Sequence, residues 1–196
     1  MPLIRLLRAL SDAMLRLERL ALMALVAGLA GLVLVNVGSR ALGRTLAWAD
    51  ELAVLCMTFV AFIGAALMLR ARIDPAVRIL HEIAGPALLR ALRVLVSALS
   101  ALLGLVLLWL CWRWFDLPGL ISAGFDIDTY EMTRFNFLYT EVTPVMGLPR
   151  FWFYLIVPWF ALSLSLHALT NLAEDAGLIE PRELAREITG SEDRES

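Results

Sequence analysis

Four stretches of this chain hold no formal charge: residues 20–37, 52–69, 94–112 and 151–170. They run 18, 18, 19 and 20 residues, counting His167 as neutral, and all 17 basic and 19 acidic side chains lie outside them. At about 1.5 Å of rise per residue each stretch makes a helix of roughly 27–30 Å, which matches the hydrocarbon core of a bilayer. A soluble four-helix bundle would need a polar stripe on each helix, and these stretches are apolar all round. The segregation predicts an all-α, polytopic membrane protein with four transmembrane helices. A composition of 60% hydrophobic residues, against roughly 45–50% in soluble domains, agrees. The first stretch follows Arg5, Arg8, Arg16 and Arg19 as a signal peptide would. Its apolar run exceeds the usual h-region of about 7–15 residues, and residues 36–40 offer no small-x-small cleavage site, so it reads as a retained span.

Every basic residue is Arg, and the arginines divide 12 to 5 between alternate connecting segments. The positive-inside rule then places both termini and the central arm, residues 72–93, in the cytoplasm, and the Gly38 region and the loop 113–150 outside. Within residues 1–19, Leu3, Leu6, Leu7, Leu10, Met14 and Leu17 follow helical spacing opposite Arg5, Arg8, Asp12, Arg16 and Arg19, which predicts an amphipathic interfacial helix before the chain turns into the bilayer. Asp74-Pro75 signals a helix start in the arm, and Pro86 the start of the helix feeding the third span. Pro158 is expected to kink the fourth span and free the carbonyl near Tyr154. Residues 171–196 read as an acidic tail.

Small residues permit close helix approach in membranes. Ala24, Ala27, Gly28 and Gly31 in span one, Ala61, Gly64 and Ala65 in span two, Ser97, Ser100, Ala101 and Gly104 in span three, and Ala161 and Ser165 in span four are assigned chiefly to internal packing.

Several chemistries lack their residues. Haem ligation needs histidines within the spans, and the chain has only His81 in the arm and His167 late in span four. Cys56 and Cys111 stand singly, leaving no redox pair, and the net charge of −2 gives no nucleic-acid-binding surface. No metal cluster or phosphate loop is present in the sequence, and no cofactor is expected. Intramembrane charges mark ion pathways. The four stretches contain none, so the chain alone looks unable to couple an ion to a substrate.

One polar cluster stands at the head of span two, Trp48-Ala49-Asp50-Glu51, with Arg40 and Arg44 just before it and able to pair with the acids. It is either an interfacial cap or a polar contact to another membrane subunit. The ordered set Asn36-Val37-Gly38-Ser39-Arg40, Leu46-Ala47-Trp48-Ala49-Asp50-Glu51-Leu52, Phe62-Ile63-Gly64-Ala65-Ala66-Leu67 with Arg70, and Thr143-Pro144-Val145-Met146-Gly147-Leu148-Pro149 with Tyr154 and Pro158 resembles the DctQ-type small membrane subunit of tripartite ATP-independent periplasmic (TRAP) transporters. The chain departs from the family pattern after span two, where Arg72-Ile73 stands in place of a frequent His-Ile.

The resemblance implies an accessory role in the bacterial inner membrane. A periplasmic solute-binding protein captures an organic anion, a large membrane subunit moves it inward with ions by an elevator-like motion, and the small subunit is the fixed scaffold. Subunit-interface candidates are Arg40, Trp48, Asp50, Glu51 and Gly64. Neither Trp48 nor Glu51 is expected at an internal packing position. The loop 113–150, rich in aromatics, is expected to fold as a cap, with Asp126, Asp128 and Glu131 as docking candidates for the binding protein. An alternative is a self-assembling four-span transporter or channel. A weaker third is a membrane enzyme using His167 and Glu174, which share a helix face at seven-residue spacing.

Overall fold

The computed structural model describes residues 2–72 and 85–181, where the chain is helical with irregular connections. The expected helix after Asp74-Pro75 and most of the acidic tail lie outside the described residues. Four long helices set the architecture: α1 (Pro2–Ala41), α2 (Ala47–Ala71), α3 (Pro86–Phe115) and α7 (Ile156–Asp175). Between α3 and α7 come the short α4 (Leu117–Ser122), α5 (Ile127–Arg134) and α6 (Phe151–Tyr154). Among the described residues, four helices are long and apolar enough to cross a membrane: Ile4–Ala41, Ala47–Ala71, Ala87–Ser122 and Phe151–Asp175. Pro86 opens α3 at its first turn, as the sequence predicts.

Two expectations change. The amphipathic segment is no separate helix, because α1 runs unbroken for 40 residues, about 60 Å at the usual rise. Its inward face is neither the leucine face nor the arginine face but the line between them: Ser11, Leu15 and Glu18 are buried, while Leu6, Leu10 and Leu17 are about half exposed. The fourth rod also outlasts its uncharged stretch, since α7 continues to Asp175 and residues 171–175 belong to it rather than to a tail. Near the expected Pro158 kink the helical assignment lapses at Leu155, which separates α6 from α7 while keeping right-handed helical angles (φ −60°, ψ −17°).

α1 lies along α2, both touch α7, and α3 packs chiefly along α7. The small residues of α3 and α7 serve this packing. Ala101, Ala161 and Ser165 are buried, and a Cβ added at Gly104 would stand 2.8 Å from the Ser165 backbone nitrogen. Those of α1 do not. Ala24, Ala27, Gly28 and Gly31 are exposed, and a Cβ at Gly28 or Gly31 would meet nothing within 4 Å, which corrects their assignment to the interior. The helices turn leucine, valine and tryptophan outward and bury serine, threonine, asparagine and charged groups among themselves. In water that inversion would be unfavourable; in lipid it is the expected solution.

Candidate functional site

The polar interior concentrates at the end of the bundle that holds the first turns of α1 and the last of α7, where Arg8 also reaches the Glu180 carbonyl (3.2 Å). Ser163, His167, Asn171 and Glu174 recur every three or four residues of α7 and so line one face. His167 Nε2 lies 3.0 Å from Glu18 Oε2, its Nδ1 lies 2.8 Å from the Ser11 hydroxyl, and the Ser163 hydroxyl donates to the other Glu18 oxygen. Closer to the helix ends, Arg70 donates to Asn171 Oδ1 (2.7 Å), Glu174 Oε1 (3.0 Å) and Asp12 Oδ1 (3.4 Å). Asn171 Nδ2 in turn donates to the Leu69 carbonyl at 2.8 Å.

Arg72 closes this layer. It ends α2 in the left-handed conformation (φ 56°), where glycine is the usual residue. From there its guanidinium reaches Asp175 Oδ1 (2.6 Å), Glu174 Oε2 (3.2 Å) and the Asn171 carbonyl (3.2 Å). Ser97 of α3 donates to the second Asp175 oxygen at 2.6 Å. All four long helices are thus joined. A buried charge is tolerated only when paired and hydrogen-bonded, and here Arg70, Glu174, Glu18 and His167 have fully buried side chains. Only the Nε atoms of Arg70 and Arg72 lack an acceptor within this cluster.

The rods are therefore not empty of ionisable groups. Glu18, Arg70 and Glu174, which flank the uncharged stretches, lie on the same helices and are buried between them with His167 as pairs. His167 and Glu174 do share a face, but they serve different partners, Glu18 with Ser11 and the two arginines, so the enzyme reading loses its pair. Ser11, His167 and Glu18 form a hydrogen-bonded row whose members are at most 1% exposed.

At the opposite end Arg40 and Asp50 form the expected ion pair (2.8 Å), joined by an Asn36 hydrogen bond to Asp50, in an exposed position. Trp48 is 44% exposed, and Gly64 is half-buried with open space at its Cβ position. Glu51 departs from expectation. Its carboxylate accepts from the amides of Val145 (3.2 Å) and Met146 (2.8 Å), and so ties the tight turn at Gly147 to the first turn of α2.

The loop 113–150 is folded, as its aromatic content predicts. Tyr130 is fully buried and its hydroxyl accepts from Asn136 (3.0 Å), while Tyr139 donates to the Phe115 carbonyl (2.6 Å). Burial, followed by the negative charge of Asp116, pushes the Tyr130 phenol upward; burial also raises that of Tyr139. Of the docking candidates, Asp126 is the N-cap of α5. The hydroxyl and amide of Thr129, then the Asp128 amide, hold its carboxyl below the usual range. Asp128 is exposed and Glu131 half-buried on the same short helix.

A family model described as tripartite ATP-independent periplasmic transporters, DctQ component, matches residues 29–177. The chain belongs to the DctQ family. It is a multi-pass membrane protein and the small permease component of a TRAP transporter. No curated protein and no solved structure matches it. The DctQ match takes in Arg70, Arg72, Ser97 and the α7 stripe, and begins after Ser11, Asp12 and Glu18, so the α1 side of this polar clasp lies before it. The uncharged stretches alone do not reveal the clasp, because its charged residues lie just beyond their limits while its neutral partners Ser97, Ser163 and His167 lie within them. The signal available was the spacing of Ser163, His167, Asn171 and Glu174.

Proposed function

We propose that this DctQ-family chain is the static scaffold of its transporter, bracing a large elevator-type membrane subunit that takes up an organic anion with coupling ions. In this reading the periplasmic binding protein delivers the solute, both termini lie in the cytoplasm and the cap lies in the periplasm of a bacterial inner membrane, as the arginine distribution favours. The observation that carries it is the clasp. Its buried charges are consumed by one another, and they fasten all four helices at one end. A carrier must present unpaired groups to its cargo and then release it; a brace has no such need.

Arg40, Trp48, Asp50 and Gly64 are proposed to contact the large subunit, and Asp128 and Glu131 to meet basic groups of the binding protein. Asp126 and Glu51 act in this scheme by holding the cap that presents them. The decisive test is reconstitution in liposomes of the large subunit and the binding protein, with and without this chain. Uptake is expected only when all three are present, and accumulation of solute by this chain alone would refute the scaffold reading and favour a self-sufficient transporter.

A further inference from the structure

At the cap end, a cleft of about 360 Å³ opens between the last turn of α3, the end of α5 and the α6 segment. Its walls are mainly aromatic: Trp114, Phe135, Phe137 and Tyr154, with Trp114 and Tyr154 in ring contact at 5.3 Å. One carboxylate, that of Glu141, enters it. Glu141 Oε2 accepts from Tyr154 (2.9 Å) and from Arg150 (3.4 Å), which leaves Oε1 without a partner among the described residues. Aromatic faces and an available carboxylate oxygen together select an organic cation.

A second observation points to the same cleft. Phe135 terminates α5 with φ 53°, a left-handed conformation unfavourable for a bulky side chain, and its ring is 79% exposed. Glycine would cap the helix without strain. A strained cap that keeps an exposed apolar ring on the wall of a cleft is a reason to look for a ligand there. The level of the cleft is set by its neighbours. Trp109 and Trp112 precede Trp114 in the last turns of α3, Trp152 lies two residues before Tyr154, all three are exposed, and Arg113 stacks over Trp109 at 5.5 Å, an arrangement typical of the belt where lipid headgroups lie.

We propose that this cleft binds the ammonium group of a zwitterionic phospholipid, with the rings of Trp114, Phe135 and Phe137 around the cation and Glu141 Oε1 as its counter-charge. The assignment is independent of the scaffold reading, because it needs no other subunit.

The test uses the purified full chain in detergent, mixed with equal amounts of phosphatidylethanolamine, phosphatidylcholine and phosphatidylglycerol, with retained lipid read by native mass spectrometry. The two zwitterionic lipids are expected to exceed phosphatidylglycerol, and Glu141→Gln or Phe135→Ala to reduce that preference by about tenfold, the range of a partly desolvated cation–aromatic contact. Phe135→Gly separates binding from folding. It relieves the left-handed strain, so thermal stability is expected to hold or rise while the lipid preference falls. Soluble choline added in excess is expected to compete, which shows that the headgroup is recognised rather than the acyl chains. Equal retention of all three lipids, a preference untouched by Phe135→Gly and Glu141→Gln, or no competition by choline would each overturn the proposal. In any of those cases a cationic side chain of a partner protein would become the better occupant.

Discussion

The sharpest test of the buried clasp is a double-mutant cycle on Glu18 and His167. Both side chains are fully buried, Glu18 receives one donor on each oxygen, and the imidazole bridges Glu18 to Ser11. His167→Leu leaves one carboxylate oxygen and the Ser11 hydroxyl without partners. At about 1–3 kcal/mol for an unsatisfied buried group, more when it is charged, the loss should be about 3 kcal/mol. Glu18→Leu strands an imidazole nitrogen and the Ser163 hydroxyl and should cost about 2 kcal/mol by the same reasoning. The double variant removes both partners and leaves only two hydroxyls, which can turn to the carbonyls of the preceding turn as Ser165 already does toward Ala161 (2.7 Å). Its loss should be about 1–2 kcal/mol, so the two sites couple by about 3–4 kcal/mol. The competing expectation comes from hydrogen bonds between membrane helices, which average only about 0.6 kcal/mol because the denatured chain in lipid finds other partners. Thermal unfolding in micelles, followed by tryptophan fluorescence, separates the two. At roughly 2–4 °C per kcal/mol for a chain of this length, His167→Leu should lower the midpoint by about 6–12 °C, with partial recovery in the double variant. Losses below about 1 kcal/mol that simply add would refute the clasp as a structural lock.

Other predictions concern single features. Gly104→Ala should destabilise by about 1–3 kcal/mol in the same assay, since the new methyl meets the Ser165 backbone, whereas Gly28→Ala should be neutral or stabilising by up to about 1 kcal/mol. Glu51→Ala should release the turn at residues 143–149, seen as faster hydrogen exchange at the Val145 and Met146 amides, while the protection of α2 beyond its first turn is unchanged. The Tyr130 and Tyr139 phenols lie above their ordinary value of 10.0, so the folded cap favours the neutral form. The stability this contributes is present below pH 10 and is lost as the pH rises through and beyond it. Phenolate absorbance should therefore develop later in the folded protein than in detergent-denatured chain, and coincident curves would contradict the burial.

How much of this was legible beforehand follows from what each residue needs. The four rods were legible because bilayer thickness imposes a length and lipid imposes an absence of charge, two constraints visible in any window of the chain. The cap was legible as folded from its aromatics, and the Arg40–Asp50 pair from proximity. The clasp was not, because charge counting sorts residues by their distance from an apolar run and takes no account of the direction they face. Glu18 and Arg70 lie one or two residues outside their stretches and read as connectors, yet each points between helices. Their partners come from 149 and 104 residues away, at His167 and Glu174. The tie between Glu51 and the loop is hidden for a related reason. A carboxylate at the head of a helix has a sufficient local explanation in the helix dipole, and nothing nearby reveals that its acceptor oxygens are claimed by amides some 95 residues on.

The same geometry explains how α3 is held in place although α7 is the one long helix it packs along extensively. A helix that packs on one side only, with leucines outward along most of its length, would be free to slide or roll if its contacts were all apolar and interchangeable. α3 is instead held at three separated points of unlike chemistry. Ser97 donates to Asp175 at the clasp, the Gly104 backbone lies against Ser165 near the middle, and Trp114 meets Tyr154 beneath the cap. Rolling breaks the first, sliding by a turn replaces the glycine with a larger residue at the second, and either motion opens the third. Lipid alone exerts no preference between these arrangements, since one leucine surface resembles another. Polar fixation at the end and close approach in the middle therefore do the work that burial of apolar surface does in water, and they leave the broad outer face of α3 available without requiring it to move.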